Sequence, residues 1–153
     1  MQLLTLGLNH RTAPIDVRER VSFSREELRS GLMSLGEYDG LSGLVVLSTC
    51  NRTELYASVD DHECGAQALR QFLNDLAQGG DDLDEYLYTY VDDEAIRHLF
   101  RVASSLDSLV LGEGQILSQV KEAYAIAREA GATSTVLNLL FHRAIATGKR
   151  VRT

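Results

Sequence analysis

The sequence predicts an α+β fold, in which a small four-stranded antiparallel sheet with packed helices is followed by a helical subdomain. Two observations support this prediction. In residues 1–91, segments with the two-residue alternation of strands are interleaved with segments of helical periodicity. In residues 92–153, only the three- and four-residue spacing of amphipathic helices remains.

Four segments have the pattern of strands. Apolar and polar residues alternate over residues 4–9, 54–59 and 86–91, which is typical of a strand with one buried face. Residues 43–47 are apolar throughout and include β-branched residues. We expect this segment to form a central strand that is covered on both faces.

In the first half of the chain, capping residues and glycines indicate where the predicted helices begin and end. Ser24 stands three residues before Glu27, which is the spacing of a capping box, and leucines follow at helical spacing. A second helix is expected over residues 63–77, ending at Gly79 and Gly80.

Three further helices are expected in the second half. An apolar stripe that includes Ile96 marks the first, and a turn at residues 112–114 follows it. The next helix is expected to begin near Ile116 and to end at Gly131, and the last is expected to begin at Ser134.

The composition is that of an ordinary globular protein of one domain. Of the 153 residues, 44% are hydrophobic and 24% are charged. No apolar run reaches the roughly 20 residues of a membrane-spanning helix, and residues 1–14 lack the pattern of a signal peptide. We therefore expect no contact with a membrane. Two cysteines do not support a disulfide scaffold, so we expect a protein of the reducing cytoplasm, and they do not support a structural zinc site either.

Charge is distributed unevenly along the chain. The net charge is −7, but residues 60–94 hold eleven acidic residues and one basic residue, whereas residues 139–153 hold four basic residues and no acidic one. On charge alone, a solvated acidic face and an ordinary basic helix end are favoured over a nucleic-acid partner as the explanation of this pattern. Charge therefore leaves the class of partner undecided.

Cys50 is the first candidate for chemistry. It lies just beyond the strand predicted at residues 43–47, where the chain leaves the sheet and side chains become accessible. The guanidinium of Arg52 would favour the thiolate form of the cysteine, which is the nucleophilic form. On this pattern alone, a buried and unreactive cysteine is the more common alternative. Cys64 lies in an acidic helix, and we expect it to be inert.

His98 is the second candidate. It flanks the apolar stripe of its helix on the same face as Val102 and Ser105, from where its ring could project into a cleft beside the sheet and act as an acid or a base. An exposed or hydrogen-bonded surface histidine is the alternative. We interpret His10 and His142 as structural or surface residues.

The sequence contains no recognisable nucleotide-binding loop. Residues 112–117 match only the start of the GxGxxG pattern, and they follow a predicted helix rather than a strand. A Walker motif, an HExxH motif and a serine nucleophile elbow are also absent from the sequence.

Five ordered blocks of the sequence, taken together, resemble the glutamyl-tRNA reductase family. These blocks are residues 7–14 (GLNHRTAP), 18–20 (RER), 47–54 (LSTCNRTE), 98–102 (HLFRV) and 106–117 (LDSLVLGEGQIL). The resemblance implies that residues 1–148 form the N-terminal catalytic domain of such an enzyme. Residues 149–153 would then begin a connecting helix to NADPH-binding and dimerisation domains that the sequence lacks.

The resemblance also implies a mechanism. The Cys50 thiolate would attack the ester carbonyl of glutamyl-tRNA, and hydride from NADPH would reduce the resulting thioester to glutamate-1-semialdehyde, a precursor of tetrapyrroles such as haem. His98 would assist the proton transfers, Arg52 would suit the substrate carboxylate and Glu113 its ammonium group. By the same resemblance, the glutamate pocket would be lined by Thr49, Asn51, Arg52, Ser108, Glu113, Gly114, Gln115 and Gln119.

The resemblance carries expectations about partners as well. NADPH is expected in the full-length enzyme only, with no site in this chain. Glutamyl-tRNA is the expected substrate and glutamate-1-semialdehyde aminotransferase an expected partner. Full-length enzymes of the family are homodimers, and we expect this chain alone to be a monomer limited to thioester formation or ester hydrolysis. The sequence departs from the family pattern at two positions that affect loop geometry. Ser105 stands where the family commonly has glycine, and Gly114 stands where proline is frequent.

Two other interpretations remain open from the residues. One is a non-catalytic module that binds an aminoacyl-tRNA or an effector and in which Cys50 is buried. The other is an unrelated thiol enzyme, for which the sequence offers neither a paired cysteine nor a local histidine signature.

Overall fold

The structure is a computed structural model, and it describes residues 2–79, 82–105 and 115–152. The described residues contain four strands and six α-helices, with single 3₁₀ turns at Leu35–Glu37 and Asp84–Tyr86. In chain order these are β1 (Gln2–Asn9), α1 (Ile15–Arg20), α2 (Arg25–Met33), β2 (Leu41–Ser48), β3 (Arg52–Val59), α3 (His62–Ala77), β4 (Tyr88–Val91), α4 (Asp93–Ala103), α5 (Ile116–Glu129) and α6 (Thr135–Arg152).

The four strands form one antiparallel sheet in the order β2-β3-β1-β4. This confirms the predicted fold class. Helices cover both faces of the sheet. On the face that carries Glu54 and Tyr56, the rings of His98 from α4 and Phe141 from α6 lie 6.5 and 5.6 Å from the Tyr56 ring. On the opposite face, Gly65 of α3 packs against β3.

The alternating polar residues of β1 and β3 are buried, which differs from the expectation of one buried face. The register of β1 with β3 places these residues on the face that α4 and α6 cover. They are Thr5, Asn9, Arg52, Glu54 and Ser58. The alternation in β1 and β3 therefore gives the sheet one apolar face and one polar face, and both faces are buried. Polar groups on such a face need partners within the protein.

The prediction that residues 43–47 form a central strand is wrong, because β2 lies at the edge of the sheet. Its residues from Leu44 to Leu47 are nevertheless buried. The segment after α5 closes this edge, where the Leu44 N–H donates to the carbonyl oxygen of Ala132 at 2.8 Å. Because both faces of β2 are covered, its residues are apolar even though the strand lies at the edge of the sheet.

The predicted helix ends are largely confirmed. Ser24 and Glu27 form the expected capping box, in which the Glu27 N–H donates to the Ser24 hydroxyl oxygen at 3.1 Å and the Ser24 N–H donates to the Glu27 carboxylate at 2.9 Å. Gly131, with φ +69°, follows α5 as expected. The C-cap of α3 is Gln78 in a left-handed conformation, one residue before the expected Gly79. The helix α1, which was not predicted from the sequence, is six residues long and buries only Val17.

The helix α6 packs closely against the end of α4. A Cβ atom on Gly148 would lie 2.6 Å from the carbonyl oxygen of Ala103, so only glycine allows this approach. The helix continues from Thr135 to Arg152 across residue 148, and the domain boundary expected there stays a prediction. None of the helices in the described ranges is long and apolar enough to cross a bilayer.

Candidate functional site

Cys50 lies at the turn that joins β2 to β3. Thr49 fixes this turn, because its hydroxyl oxygen accepts the N–H groups of Asn51 and Arg52, both at 3.1 Å. The Thr49 N–H also donates to the carbonyl oxygen of Arg52 at 2.8 Å. The Cys50 thiol is free and exposed. The alternative interpretation, a non-catalytic binding module, assumed that Cys50 is buried, and this assumption is wrong.

The base of the turn is anchored to the segment that precedes α2. The Thr53 hydroxyl donates to the carbonyl oxygen of Val21 at 2.9 Å, and the Phe23 N–H donates to the Ser48 hydroxyl oxygen at 3.2 Å. Cys50 is thus displayed on a turn whose two strand ends are both held in place.

Immediately after this turn lies the buried carboxylate of Glu54, which interacts with several hydrogen-bond donors. Arg52 and Glu54 are 1% and 0% exposed, and Arg52 Nη1 lies 3.5 Å from Glu54 Oε2. The Tyr56 hydroxyl donates to Glu54 Oε1 at 2.6 Å. The Tyr88 hydroxyl and His98 Nε2 both hydrogen-bond to Glu54 Oε2. We call these five residues the Glu54 network.

The ring of His98 is held on several sides. It stacks on the Tyr90 ring at 4.7 Å between centroids and meets the Tyr88 ring edge-on at 5.8 Å. His98 is only 6% exposed, so the alternative of a surface histidine is wrong. The ring does line a cleft of about 230 Å³, as the sequence suggested. The other residues of this cleft are Tyr90, Glu94, Arg97 and Arg101.

Burial and charge shift the pKa values of the Glu54 network in opposite directions. Burial by itself would raise the pKa of the Glu54 carboxyl, but the interactions with His98 and with the Arg52 guanidinium outweigh it and lower that pKa below its ordinary value. Burial and then the neighbouring Glu54 charge raise the pKa of Tyr56 and of Tyr88 well above the usual value for tyrosine. At neutral pH, Glu54 is therefore an anion surrounded by neutral hydroxyl donors.

The structure brings together only part of the predicted site. Thr49, Cys50, Asn51 and Arg52 are consecutive at the turn, and Glu54 connects Arg52 to His98. The contacts within the described residues include no hydrogen bond between Cys50 and His98. Three predicted residues lie outside the described residues: Ser108, Glu113 and Gly114.

The two predicted glutamines are both exposed. Gln115 is exposed and precedes α5. Gln119 is exposed and lines a cleft of about 210 Å³ together with Val46 and Ser48 of β2, separate from the cleft at His98. Their assignment to the glutamate pocket stays a prediction.

Sequence reasoning missed Glu54, Tyr56 and Tyr88 as members of the site. One signal was available, since Arg52, Glu54 and Tyr56 are spaced by two residues on a strand and therefore share a face. Its polarity indicated a solvated face, and only the packing of α4 and α6 shows that the face is buried.

The other candidate residues have ordinary surroundings. Cys64 is free and exposed near the start of α3, where the hydrogen bond to Asp61 and the charge of that carboxylate raise the pKa of the thiol. His142 is exposed, and its Nε2 lies 3.2 Å from the Tyr124 hydroxyl. His10 is partly buried. No group of three potential metal ligands occurs within the ranges that the structure describes.

The fold and the site together define a class: an α+β domain that displays one cysteine on a hairpin turn beside a buried Arg–Glu–His network. Residues 6–153 match the family model described as glutamyl-tRNAGlu reductase, N-terminal domain. The chain therefore belongs to the family of glutamyl-tRNA reductase N-terminal domains.

Individual relatives agree with this assignment. The chain is 51% identical to the glutamyl-tRNA reductase of Moorella thermoacetica and 48% identical to that of Marinobacter nauticus, in each case over 100% of the chain and 35% of the relative. The solved structure of glutamyl-tRNA reductase from Methanopyrus kandleri matches with a TM-score of 0.73 and 40% identity, over 98% of this chain and 34% of that one. The chain thus spans about a third of the length of these relatives.

Proposed function

We propose that this chain performs the acyl-transfer step of glutamyl-tRNA reduction, with Cys50 as the nucleophile. The thiolate sulfur attacks the ester carbonyl carbon of glutamyl-tRNA, the bond from that carbon to the ribose oxygen breaks, and a glutamyl thioester remains on the protein. The proton lost by the thiol ends on the ribose oxygen of the released tRNA. The observation that carries this proposal is the free, exposed thiol on a turn held by Thr49.

Arg52 and His98 are the neighbouring groups that we assign to this step. Arg52 follows Cys50 by two residues, and its guanidinium is fixed against Glu54. The resemblance assigns Arg52 to the carboxylate of the glutamyl group, to which a planar guanidinium is suited, although its side chain is buried against Glu54. We assign His98 the transfer of the proton to the departing ribose oxygen. The wider glutamate pocket would also include Thr49, Asn51, Ser108, Glu113, Gly114, Gln115 and Gln119.

The reduction that gives the relatives their name needs a hydride donor, which we propose is NADPH. The described residues do not fit a site for it. Their sheet is antiparallel throughout, whereas a dinucleotide fold places a glycine-rich turn between a strand and a helix of a parallel sheet. We therefore derive no hydride transfer for this chain. NADPH would be bound by parts of the longer relatives that this chain does not span.

The remaining proposals follow from the relatives. Reduction of the thioester would yield glutamate-1-semialdehyde for tetrapyrrole synthesis in the cytoplasm. That product is reactive, so we expect the enzyme to contact an aminotransferase that takes up the product and consumes it. We propose that the full-length enzyme is a homodimer, and that this chain alone is a monomer that forms the thioester or hydrolyses the ester.

The test is to incubate the chain with tRNA carrying labelled glutamate, without NADPH, and to trap protein-bound label at mildly acidic pH. Cys50→Ser removes the proposed nucleophile, and Cys64→Ser is the matched control because Cys64 is also free and exposed. We expect label on the wild type and on Cys64→Ser, release of free tRNA, and no thioester-labile label on Cys50→Ser. Equal thioester-labile label on Cys50→Ser, or none on a folded wild-type chain, would overturn the proposal.

A further inference from the structure

We propose that Glu54 is a positioning residue for His98: its carboxylate binds Nε2 and thereby leaves Nδ1 as the ring nitrogen that exchanges a proton with the substrate. The kinetic part of this inference rests on the proposed function of Cys50. The structural part rests on the contacts of the Glu54 network alone.

The contacts of Glu54 determine which atom of His98 carries the hydrogen. An ionised carboxylate can only accept hydrogen bonds, so each of its partners must donate. Tyr56 and Tyr88 donate through their hydroxyl groups, and Arg52 Nη1 is a donor by nature. His98 Nε2 contacts the same carboxylate and must also donate. In the neutral ring, Nδ1 then holds the free electron pair.

The second nitrogen of the ring, Nδ1, is not bound to Glu54. Within the described residues, His98 hydrogen-bonds through Nε2, and no hydrogen bond involves Nδ1. The ring lines the cleft that it shares with Tyr90, Glu94, Arg97 and Arg101. Nδ1 is therefore the ring nitrogen available to a group that enters the site.

The surroundings of the ring limit its motion. Tyr90 stacks on one face and fixes the plane of the imidazole, while the bond to Glu54 fixes the rotation within that plane. A histidine held by a carboxylate on one nitrogen can accept a proton on the other, because the carboxylate stabilises the imidazolium that forms. This arrangement suits a residue that takes up a proton and passes it to a leaving oxygen.

The same carboxylate also lies 3.5 Å from Arg52, so a change at Glu54 affects two neighbours. A useful test must separate an effect through His98 from an effect through Arg52 or through stability. Two measurements together make this separation.

The first measurement needs no variant. In chain labelled with ¹⁵N-histidine, NMR of the ring nitrogens reports which one carries the hydrogen, and loss of signals in His98→Gln assigns them. We expect neutral His98 to be protonated at Nε2 and bare at Nδ1, whereas the same chain in urea should show the averaged state of a free imidazole. Protonation at Nδ1, or averaging in the folded chain, would overturn the proposal.

The second measurement is a double-mutant cycle on the rate of thioester formation at saturating glutamyl-tRNA. Glu54→Gln keeps the shape but removes the charge, and Glu63→Gln, at an exposed position of α3, is the matched control. We expect Glu54→Gln to slow the step by about 10- to 100-fold in the wild type. In the His98→Gln background, we expect it to slow the step by less than about threefold. Equal losses in both backgrounds would show that Glu54 acts through Arg52 or stability, which overturns the proposal.

The two measurements also distinguish this inference from the proposed function. A wild-type chain that forms no thioester contradicts the role of Cys50, and the NMR spectrum still decides whether Glu54 fixes His98. If Glu54→Gln does not fold, the wild-type spectrum remains a complete test of the structural part.

Discussion

Gly7 and Glu54 lie opposite each other on the paired strands β1 and β3, and a Cβ atom on residue 7 would lie 2.8 Å from Cγ of Glu54. Gly7 is also the register partner of Tyr88 on its other side. The missing side chain leaves room for the Glu54 carboxylate to reach across β1 to Tyr88 and His98. The Glu54 network thus depends on a residue that contributes no functional group to it.

Gly7→Ala should therefore destabilise the chain and displace Glu54. The added methyl group would clash with Glu54 Cγ and with the backbone carbonyl of Thr53, also at 2.8 Å, and backbone cannot move aside easily. Overpacking of this kind costs about 1–3 kcal/mol. Urea unfolding measures it, with Gly36→Ala as the control because a Cβ there has no neighbour within 4 Å. Equal stability of the two variants would contradict this explanation.

Ser105→Gly should stabilise the chain. Ser105 has φ +65°, a conformation that costs a non-glycine residue about 1 kcal/mol, and its hydroxyl oxygen is buried without a hydrogen-bond partner in the described part of the chain. Ser104, at φ −91°, is the matched control, and glycine there should destabilise. Thermal unfolding of the two variants checks the pair. A change of the melting temperature in the same direction for both variants would contradict the strain assigned to Ser105.

The pKa of Glu54 predicts how stability depends on pH. Because this pKa is lower in the folded state than its ordinary value of 4.5, the carboxylate stabilises the fold above that value. The contribution is lost as pH falls from about 4.5 through the lower folded pKa. The difference in unfolding free energy between wild type and Glu54→Gln should therefore shrink as pH falls from 6 to 3. A difference that stays constant or grows would mean that the carboxylate is not held as an anion.

Asp61→Asn should speed the alkylation of Cys64. The Asp61 carboxylate raises the pKa of that thiol, and asparagine removes the charge while it can still cap α3. Mass spectrometry of the chain treated with iodoacetamide at pH 7.5 measures both cysteines at once. Cys50 is the internal control, and its rate should not change. An unchanged rate at Cys64 would contradict the assigned cause.

The strands and helices could largely be predicted from the sequence, because local spacing specifies them. The Ser24 and Glu27 pair and the alternation of β1 and β3 are patterns within a few residues. The edge position of β2 could not be predicted in this way, since covered edge strands and central strands are equally apolar. Its place depends on which strands pair, and pairing is a long-range property.

The site could be predicted only in part. The residue pattern made Cys50, Arg52 and His98 candidates, the resemblance gave them roles, and the structure gives each a defined environment. The role of Glu54 was hidden because a charged residue in an alternating strand predicts a solvated position. Its burial depends on α4 and α6, which follow it by some forty residues or more in the sequence. Gly7 gave no signal, because a glycine within a strand has many explanations.

The central claim is that Cys50 accepts the glutamyl group, and peptide mapping after incubation with glutamyl-tRNA tests it most directly. Trypsin places the two cysteines in different peptides, residues 30–52 and residues 53–70. Digestion at mildly acidic pH preserves a thioester. We predict one glutamyl group on peptide 30–52 and none on peptide 53–70. A glutamyl group on the peptide with Cys64, or on neither peptide of a folded chain, would contradict the claim.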